Sequence, residues 1–273
     1  MISWYLQHCP IHSGKSHLYR MFRDRVARQG PYVCQYDGGL EMKVDLTDKI
    51  QENVFLYRCY RKERRHQKFM LSLVRPGDTV LDIGAHIGYY TASFAKRVGP
   101  GGRVFAFEPN PVNYSRLVDH LKRNQLDNVT ALNCAASDEK GTGTLHLHSR
   151  NTGMASLHPH RFAEPGGEVE TVVPDQILAE AGAGPVALIK IDVEGHELGV
   201  IRGLRATLDR PPGDCPRVFV EVSERSLARA GQTSADLFQL MDELGYRPFR
   251  IGPREAVPAE GPFSDSLVLF QKG

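Results

Sequence analysis

Cysteine is sparse in this sequence. Five residues (Cys9, Cys34, Cys59, Cys134, Cys215) are scattered through 273, odd in number and never spaced as CxxC. That excludes a disulfide scaffold and a cysteine-rich zinc site, and dispersed thiols suit a reducing compartment. Long apolar runs are missing too. No stretch approaches the roughly 18 residues of a membrane span. The opening MISWYLQHCPIHSGK has no basic segment followed by an apolar one, so no signal peptide is read and a cytoplasmic location is expected. A large excess of one charge is also lacking: the net charge is +2, too small by itself to indicate a polyanionic partner. Internal repeats and low-complexity segments are not found. What remains is an ordinary globular mixture, 41% apolar and 24% charged, long enough to need no staple.

Charge is unevenly spread. Residues 1–75 carry 14 Lys and Arg against 7 Asp and Glu, whereas the remainder is net negative. The shift falls at Arg75-Pro76-Gly77-Asp78, where Pro-Gly signals a turn. The expected division is a small N-terminal α/β extension over 1–75, acting as a cap, and a larger domain over 76–273. The extension reads as a helix at 15–28, a hairpin of 31–36 and 40–46 through Asp37-Gly38-Gly39, and helices at 49–60 and 62–74. Beyond it, apolar runs at 79–83, 103–107, 129–133, 186–191 and 217–222 alternate with helical patterns at 87–98, 111–124, 195–209 and 233–244. Such alternation predicts right-handed βαβ crossovers and a parallel sheet covered on both faces. Runs at 246–251 and 267–271 have only a Gly/Pro-rich connection between them, which demands an antiparallel pair. The fold class is therefore α/β, with five parallel strands and a closing hairpin. An insertion at about 139–175, with short strands at 144–148 and 169–173, interrupts the alternation, and long insertions are usually functional loops.

The strongest motif is Asp82-Ile83-Gly84-Ala85-His86-Ile87-Gly88-Tyr89-Tyr90-Thr91, between a strand and a helix. Gly84 permits a tight turn, and Gly88 lets backbone approach a ligand. Dinucleotide loops read GxGxxG. Here an acid comes first, and a carboxylate at the strand end opposes a pyrophosphate but suits an ammonium and a sulfonium. S-adenosylmethionine is such a ligand. Glu108 ends the next strand, where an acid accepts from ribose hydroxyls. Small residues at Ala135, Ala136 and Ser137 would border an adenine.

Together with Ile189-Lys190-Ile191-Asp192-Val193-Glu194-Gly195-His196-Glu197, FEPNPVN, SDEKG and the 151–156 segment, these residues resemble the FkbM-type methyltransferases. The similarity runs from about Glu63 to Glu221. It implies a seven-stranded Rossmann-like methyltransferase fold and S-adenosyl-L-methionine as cofactor, leaving S-adenosyl-L-homocysteine. Position by position, it assigns Asp82, Gly84, Ala85 and Gly88 to the cofactor loop, with His86, Tyr89, Tyr90 and Thr91 beside them. It assigns Glu108, Pro109, Asn110 and Asn113 to the ribose segment, and Glu63 to an acid near the cofactor. At His86 the family usually shows Asn. Family members methylate sugar and polyketide hydroxyls, and some methylate peptide amide nitrogens.

At the acceptor end, alternation puts Lys190 and Asp192 on one face of a strand. Asp192, Glu194 and His196 then cluster at the mouth. His196 is read as general base because an unperturbed imidazole titrates near working pH; the alternative is a helix-start residue bonded to backbone. Glu194 or Asp192 would orient it or bind acceptor hydroxyls. Lys190 in a buried strand needs a partner, Asp192 or the acceptor. Asn151, Met154, Ser156, Lys190 and Glu221 are read as acceptor-binding. Asp192, Glu194 and Glu221 also offer oxygen ligands for Mg²⁺, but no spacing requires it, so no metal is assigned.

The favoured reaction is O-methylation of a hydroxyl on a sugar or secondary metabolite. The acceptor is a small or glycosylated molecule, free or carrier- or peptide-linked. N-methylation of an amide, a nicotinamide oxidoreductase and a nucleic-acid-binding module are the rival readings. The last rests on the basic run 58–66, which also reads as a solvated helix face. Gly14-Lys15-Ser16 imitates a P-loop tail but follows no strand. The pair His158 and His160, and the trio His8, Cys9 and His12, lack the further ligands of a metal site.

Overall fold

A computed structural model of the chain describes residues 2–8, 14–46, 49–148, 155–159, 163–252, 255–263 and 266–272. The chain opens with α1 (Ile2–His8) and α2 (Lys15–Ala27), a hairpin of β1 (Tyr32–Tyr36) and β2 (Leu40–Val44), then α3 (Lys49–Tyr57) and α4 (Arg64–Leu73). There follow β3 (Thr79–Ile83), α5 (Tyr89–Val98), β4 (Arg103–Phe107), α6 (Pro111–Arg123) and β5 (Val129–Leu132). Next comes β6 (Ala135–Ala136); the insertion after it brings β7 (Gly141–His148) and β8 (Ala163–Val172), and α7 (Pro174–Glu180) leads out of it. The remainder is β9 (Val186–Ile191), α8 (Glu197–Gly203), α9 (Arg205–Leu208), β10 (Arg217–Val222), α10 (Glu224–Leu227), α11 (Ser234–Glu243), β11 (Arg247–Ile251), β12 (Ala256–Pro258) and β13 (Ser266–Gln271).

The main sheet runs β12-β11-β13-β10-β9-β3-β4-β5. Strands β5, β4, β3, β9 and β10 are parallel. The last strand, β13, slots between β10 and β11 and is antiparallel to both. This is the expected Rossmann-like methyltransferase arrangement, with one addition. The Gly/Pro-rich connection read as plain loop contributes an eighth strand, β12, on the outer edge of β11. An edge tolerates Pro258 because the proline's missing N–H faces away from the sheet. From β3 the chain builds outward through β4 and β5 on one side, and later through β9 and β10 on the other. The switch point, where ligands bind in such sheets, lies at the carboxyl ends of β3 and β9.

Alternation sorts the strand side chains onto two cores. Leu81, Ile83, Phe105, Phe107, Ile189 and Ile191 face one side, packed by Leu178, Leu198, Ile201, Leu237 and Met241 from α7, α8 and α11. Val80, Val104, Leu188 and Phe219 face the other, packed by Met70 of α4 and Phe94 and Val98 of α5. Both faces are therefore dry, which is why these strands read as unbroken apolar runs. The 75–76 charge boundary is not a seam in this packing, since α4 covers the main sheet. The hairpin and α1–α3 form a third core that includes Ile87, Tyr89 and Ala92 around α5. Lys15 is buried and donates to the carbonyls of Leu6 and Leu56, joining α1 to α3. The insertion makes a small separate sheet, β6-β8-β7.

Candidate active site

The turn after β3 is shaped by what lies next to it. Gly84 has φ +82°, and a Cβ there would stand 1.8 Å from the carbonyl oxygen of Asp192. The amide of Asp192 donates to the carbonyl of Ile83 at 3.0 Å. The ends of β3 and β9 are thus stitched so closely that only glycine fits. The amides of Gly84 and Ala85 donate to the carbonyl of Phe107, laying the loop over the end of β4. His86 follows in the left-handed region, φ 51°. Asn and His are enriched in that conformation, a physical reason for His where the related family shows Asn. Gly88 (φ +84°) has a different neighbour from the one expected. A Cβ there would meet Leu117 Cδ1 of α6 at 2.5 Å, so its small size serves helix packing rather than the approach of a ligand.

Glu108 leaves β4 with its carboxylate buried. Oε2 accepts from the backbone N–H of His86 at 2.7 Å; Oε1 accepts from the backbone N–H of Asn110 at 2.9 Å and from Asn113 Nδ2 at 3.4 Å. Burial pushes its pKa up to about 7, against the lowering effect of those donors. Asn110 caps α6 through Val112 N–H at 2.9 Å. A cavity opens here, at the switch point, with about 700 Å³ of empty space when the open solvent at its mouth is included. Gly84, His86, Glu108, Pro109, Asn113, Ala135, Ala136, Ser156, Asp192 and His196 line it, with apolar walls from Ile83, Phe107, Cys134, Leu145, Leu157 and Val193. Ile50 of α3 reaches the same wall. The sequence reading missed these apolar residues and Ile50. Ile83, Phe107 and Val193 stood in the quoted motifs and Cys134 directly before the small residues 135–137, whereas Ile50, Leu145 and Leu157 arrive from distant segments and carried no local signal.

Asp82 is not ligand-facing. It is fully buried, with Oδ2 accepting from Thr91 Oγ1 at 2.6 Å and Oδ1 3.6 Å from Lys190 Nζ. Burial raises its pKa, and Lys190 opposes the shift. Lys190 also reaches Asp192 Oδ2 at 3.2 Å and lies over the Tyr90 ring. Tyr90 donates to Glu63 Oε2 at 3.0 Å, and the same oxygen faces His66. Tyr89 donates to Gln67 Oε1 and accepts from Tyr60 N–H, at the joint with the N-terminal segment. Glu63, Asp82, Ala85, Gly88, Tyr89, Tyr90, Thr91 and Asn110 therefore support the cavity without lining it. Ser137, Lys190, Glu194 and Glu221 also stand outside its wall. Asn151, Met154 and His160 lie outside the described residues.

At the mouth, against the upward pull of burial, Lys190 and then a hydrogen bond with Glu221 hold Asp192 low, while the Asp192 charge pushes Glu221 up. Glu194 (φ 53°) has its pKa raised by burial and by Asp192; its Oε2 accepts from Ser226 at 3.0 Å and lies 4.0 Å from Arg229. Ser156 Oγ donates to the Glu194 carbonyl at 2.7 Å, and its backbone pairs with His146, tying the insertion to this loop. His196 sits at the start of α8 with both ring nitrogens engaged, Nε2 with Ser137 Oγ at 3.0 Å and Nδ1 with His158 Nε2 at 3.2 Å. Burial, then His158, lower its pKa to about 4. The expectation of an imidazole titrating near neutrality is corrected: His196 is neutral there and already paired. No three carboxylate, imidazole or thiol groups among the described residues are placed to hold a metal, Asp192, Glu194 and Glu221 included.

The residues present fit S-adenosylmethionine. The buried Glu108 carboxylate has no cationic partner among its contacts and, with three donors already on it, keeps acceptor capacity on Oε2 for a ribose hydroxyl. The apolar walls and the small Ala135 and Ala136 suit a flat base.

A family model described as "Methyltransferase FkbM domain" matches residues 82–248. The 31-O-demethyl-FK506 methyltransferase FkbM of Streptomyces tacrolimicus is 32% identical over 206 residues, 63% of this chain and 74% of the relative. The hexuronic acid methyltransferase AglP of Haloferax volcanii is 27% identical over 80% of this chain and 82% of its own. The 2-O-methyltransferase NoeI of Sinorhizobium fredii is 29% identical over 59% and 70%.

Proposed function

The chain belongs to the FkbM methyltransferase family, and from that premise we propose that it moves the methyl group of S-adenosylmethionine to a hydroxyl of a sugar or secondary metabolite. One observation carries the reading: a buried, cation-free carboxylate, Glu108, in an apolar-walled cavity at the switch point of the sheet. The names of the relatives in Streptomyces and Sinorhizobium, both O-methyltransferases, support oxygen as the methylated atom.

S-adenosylmethionine supplies an electrophilic methyl group on a sulfonium. The chain supplies position and proton handling. Glu108 accepts from a ribose hydroxyl, while Pro109, Ala135 and Ala136 bound the base. Gly84, held against Asp192, keeps the floor of the cavity in register with the mouth. Asp192, on the cavity wall, accepts hydrogen bonds from acceptor hydroxyls, with Glu194 and Glu221 packed behind it, and Ser156 holds the insertion over the mouth. Fixing the acceptor oxygen in line with the methyl is where such a site gains most of its rate. An alcohol must also lose its proton as it is methylated, so the site needs a group to accept it.

The test is methyl transfer from labelled S-adenosylmethionine to a panel of methyl glycosides, glucuronides and peptide amides, with mass spectrometry of the products. Labelled methyl ethers are expected. Label on nitrogen alone would replace this reading with N-methylation.

A further inference from the structure

Four side chains beside the cavity form a hydrogen-bonded line. Ser137 Oγ lies 3.1 Å from Asp138 Oδ1 and 3.0 Å from His196 Nε2, and His196 Nδ1 lies 3.2 Å from His158 Nε2. Counting protons gives each bond a direction. A carboxylate only accepts, so the single hydroxyl proton of Ser137 points to Asp138. His196 Nε2 must then carry the proton that Ser137 receives as an acceptor. A neutral imidazole has one N–H, so His196 Nδ1 is a bare acceptor and His158 Nε2 is its donor. That leaves a lone pair on Nδ1 of His158, for which the described residues offer no hydrogen-bond partner.

The line passes the cavity at His196 and ends at the surface, with His158 beside the wall at the end of the lining segment 155–157. His196 is part of the cavity wall, His158 follows Ser156 and Leu157 of that wall, and Asp138 is exposed. The charged and titratable groups facing His158 are His146 of β7, Arg229 after α10, and His196. Those facing His196 are His158, Asp138 and Arg202 of α8. Burial, then His146 and Arg229, lower the pKa of His158, as burial and then His158 lower that of His196. Neither ring is suited to hold a proton as a cation, but both are suited to pass one.

We propose that His158, His196, Ser137 and Asp138 form a proton relay, in which Nδ1 of His158 takes the acceptor's hydroxyl proton and Asp138 releases one to water. The proposal rests on the O-methylation reading above. As the acceptor oxygen bonds to the methyl carbon, its O–H bond breaks and an N–H bond forms at His158 Nδ1. The sulfur keeps the electron pair of the S–C bond that breaks. The proton on His158 Nε2 passes to His196 Nδ1, that on His196 Nε2 passes to Ser137 Oγ, and the original hydroxyl proton of Ser137 passes to Asp138. One proton leaves and no ring ends charged; exchange with water at both ends restores the starting tautomers. His158 is the catalytic residue of this scheme, and the other three are positioning and relay residues.

The tautomers are testable without an acceptor. Nitrogen-15 NMR of the histidine rings at pH 7 is expected to show His158 and His196 both neutral and both protonated at Nε2. Protonation of His158 at Nδ1 would overturn the relay. Kinetics with the acceptor found in the glycoside and glucuronide panel supply the second arm. Asp138→Asn keeps an acceptor for Ser137 but cannot take its proton. In Asp138→Asn and Ser137→Ala, kcat is expected to fall, by roughly 10²–10⁴-fold in Ser137→Ala, the range a general base contributes. KM, the affinity for S-adenosylhomocysteine and the melting temperature should hold, the pH profile should change, and Ser137→Thr should restore kcat. A wild-type kcat and pH profile in Asp138→Asn would reduce the line to a structural clamp. A wild-type enzyme that methylates no hydroxyl would instead sink the O-methylation reading, with the NMR result still standing on its own.

Discussion

Lys190 Nζ on β9 lies 3.6 Å from Asp82 Oδ1 on β3, both groups buried beneath the cavity floor. The two strands that flank the switch point are thereby joined by charge as well as by backbone. The acid that begins the loop motif is spent on this pair and on Thr91, not on a ligand. Removing one partner of a buried pair strands the other. Lys190→Met is expected to cost about 3–5 kcal/mol. Adding Asp82→Asn should recover part of that loss, so the double variant is less destabilised than the sum. Urea denaturation of the four proteins checks this; strict additivity would contradict the pairing.

The two loop glycines should respond differently. At Gly84 the obstacle is a backbone carbonyl 1.8 Å from a new Cβ; at Gly88 it is a terminal methyl of Leu117, which has room to turn. Gly84→Ala is expected to prevent folding or cost more than about 3 kcal/mol, whereas Gly88→Ala should cost about 1–2 kcal/mol, mostly from its positive φ. Melting temperatures rank the two. S-adenosylhomocysteine affinity should survive in Gly88→Ala; its loss there would return Gly88 to the ligand surface.

Cofactor affinity should depend on pH through Glu108. Its pKa is pushed up to about 7 by burial, and the ionised form is the stronger acceptor for a ribose hydroxyl. Binding therefore draws the pKa down. Affinity for S-adenosylhomocysteine should rise as pH climbs to about 7 and level off above it, with a limiting slope of about tenfold per pH unit below. A flat profile from pH 5.5 to 8 would contradict this.

His120 is buried between Tyr36 and the carbonyl of Ile87, and burial lowers its pKa to about 4. A folded pKa below the unfolded value of 6.5 means that the unfolded chain takes up the proton first as pH falls. The contribution of His120 to stability is full above pH 6.5 and is lost toward pH 4. The stability gap between wild type and His120→Gln should narrow by about 3 kcal/mol over that range. Urea titrations at several pH values measure it; a constant gap would show that His120 titrates normally.

Strands β3, β4, β9 and β10 were legible because each is a run buried on both faces and bounded by turn residues. The insertion of β13 between β10 and β11 was not, since antiparallel pairing follows from a short connection but neighbour order does not. Strand β12 escaped because Ala256–Pro258 has no apolar alternation and owes its form to the edge of β11. In the site, Glu108 and Gly84 were readable from position on strand ends. The burial of Asp82 was not, because a strand-end acid looks the same whether it faces a ligand or Lys190. Nor was the His158–His196 contact, which joins residues 38 apart through the small sheet. The depressed pKa of His196 follows from that packing and so was equally hidden.

The central claim is that the Glu108 cavity holds the methyl donor. Calorimetric titration of the full chain with S-adenosylhomocysteine, beside Glu108→Gln, tests it most directly. The account predicts saturable 1:1 binding that weakens by roughly 10–100-fold in the variant, the loss expected for hydrogen bonds to a charged acceptor. Folded wild-type protein that binds nothing at millimolar ligand, or a Glu108→Gln variant that binds as well as wild type, would contradict it.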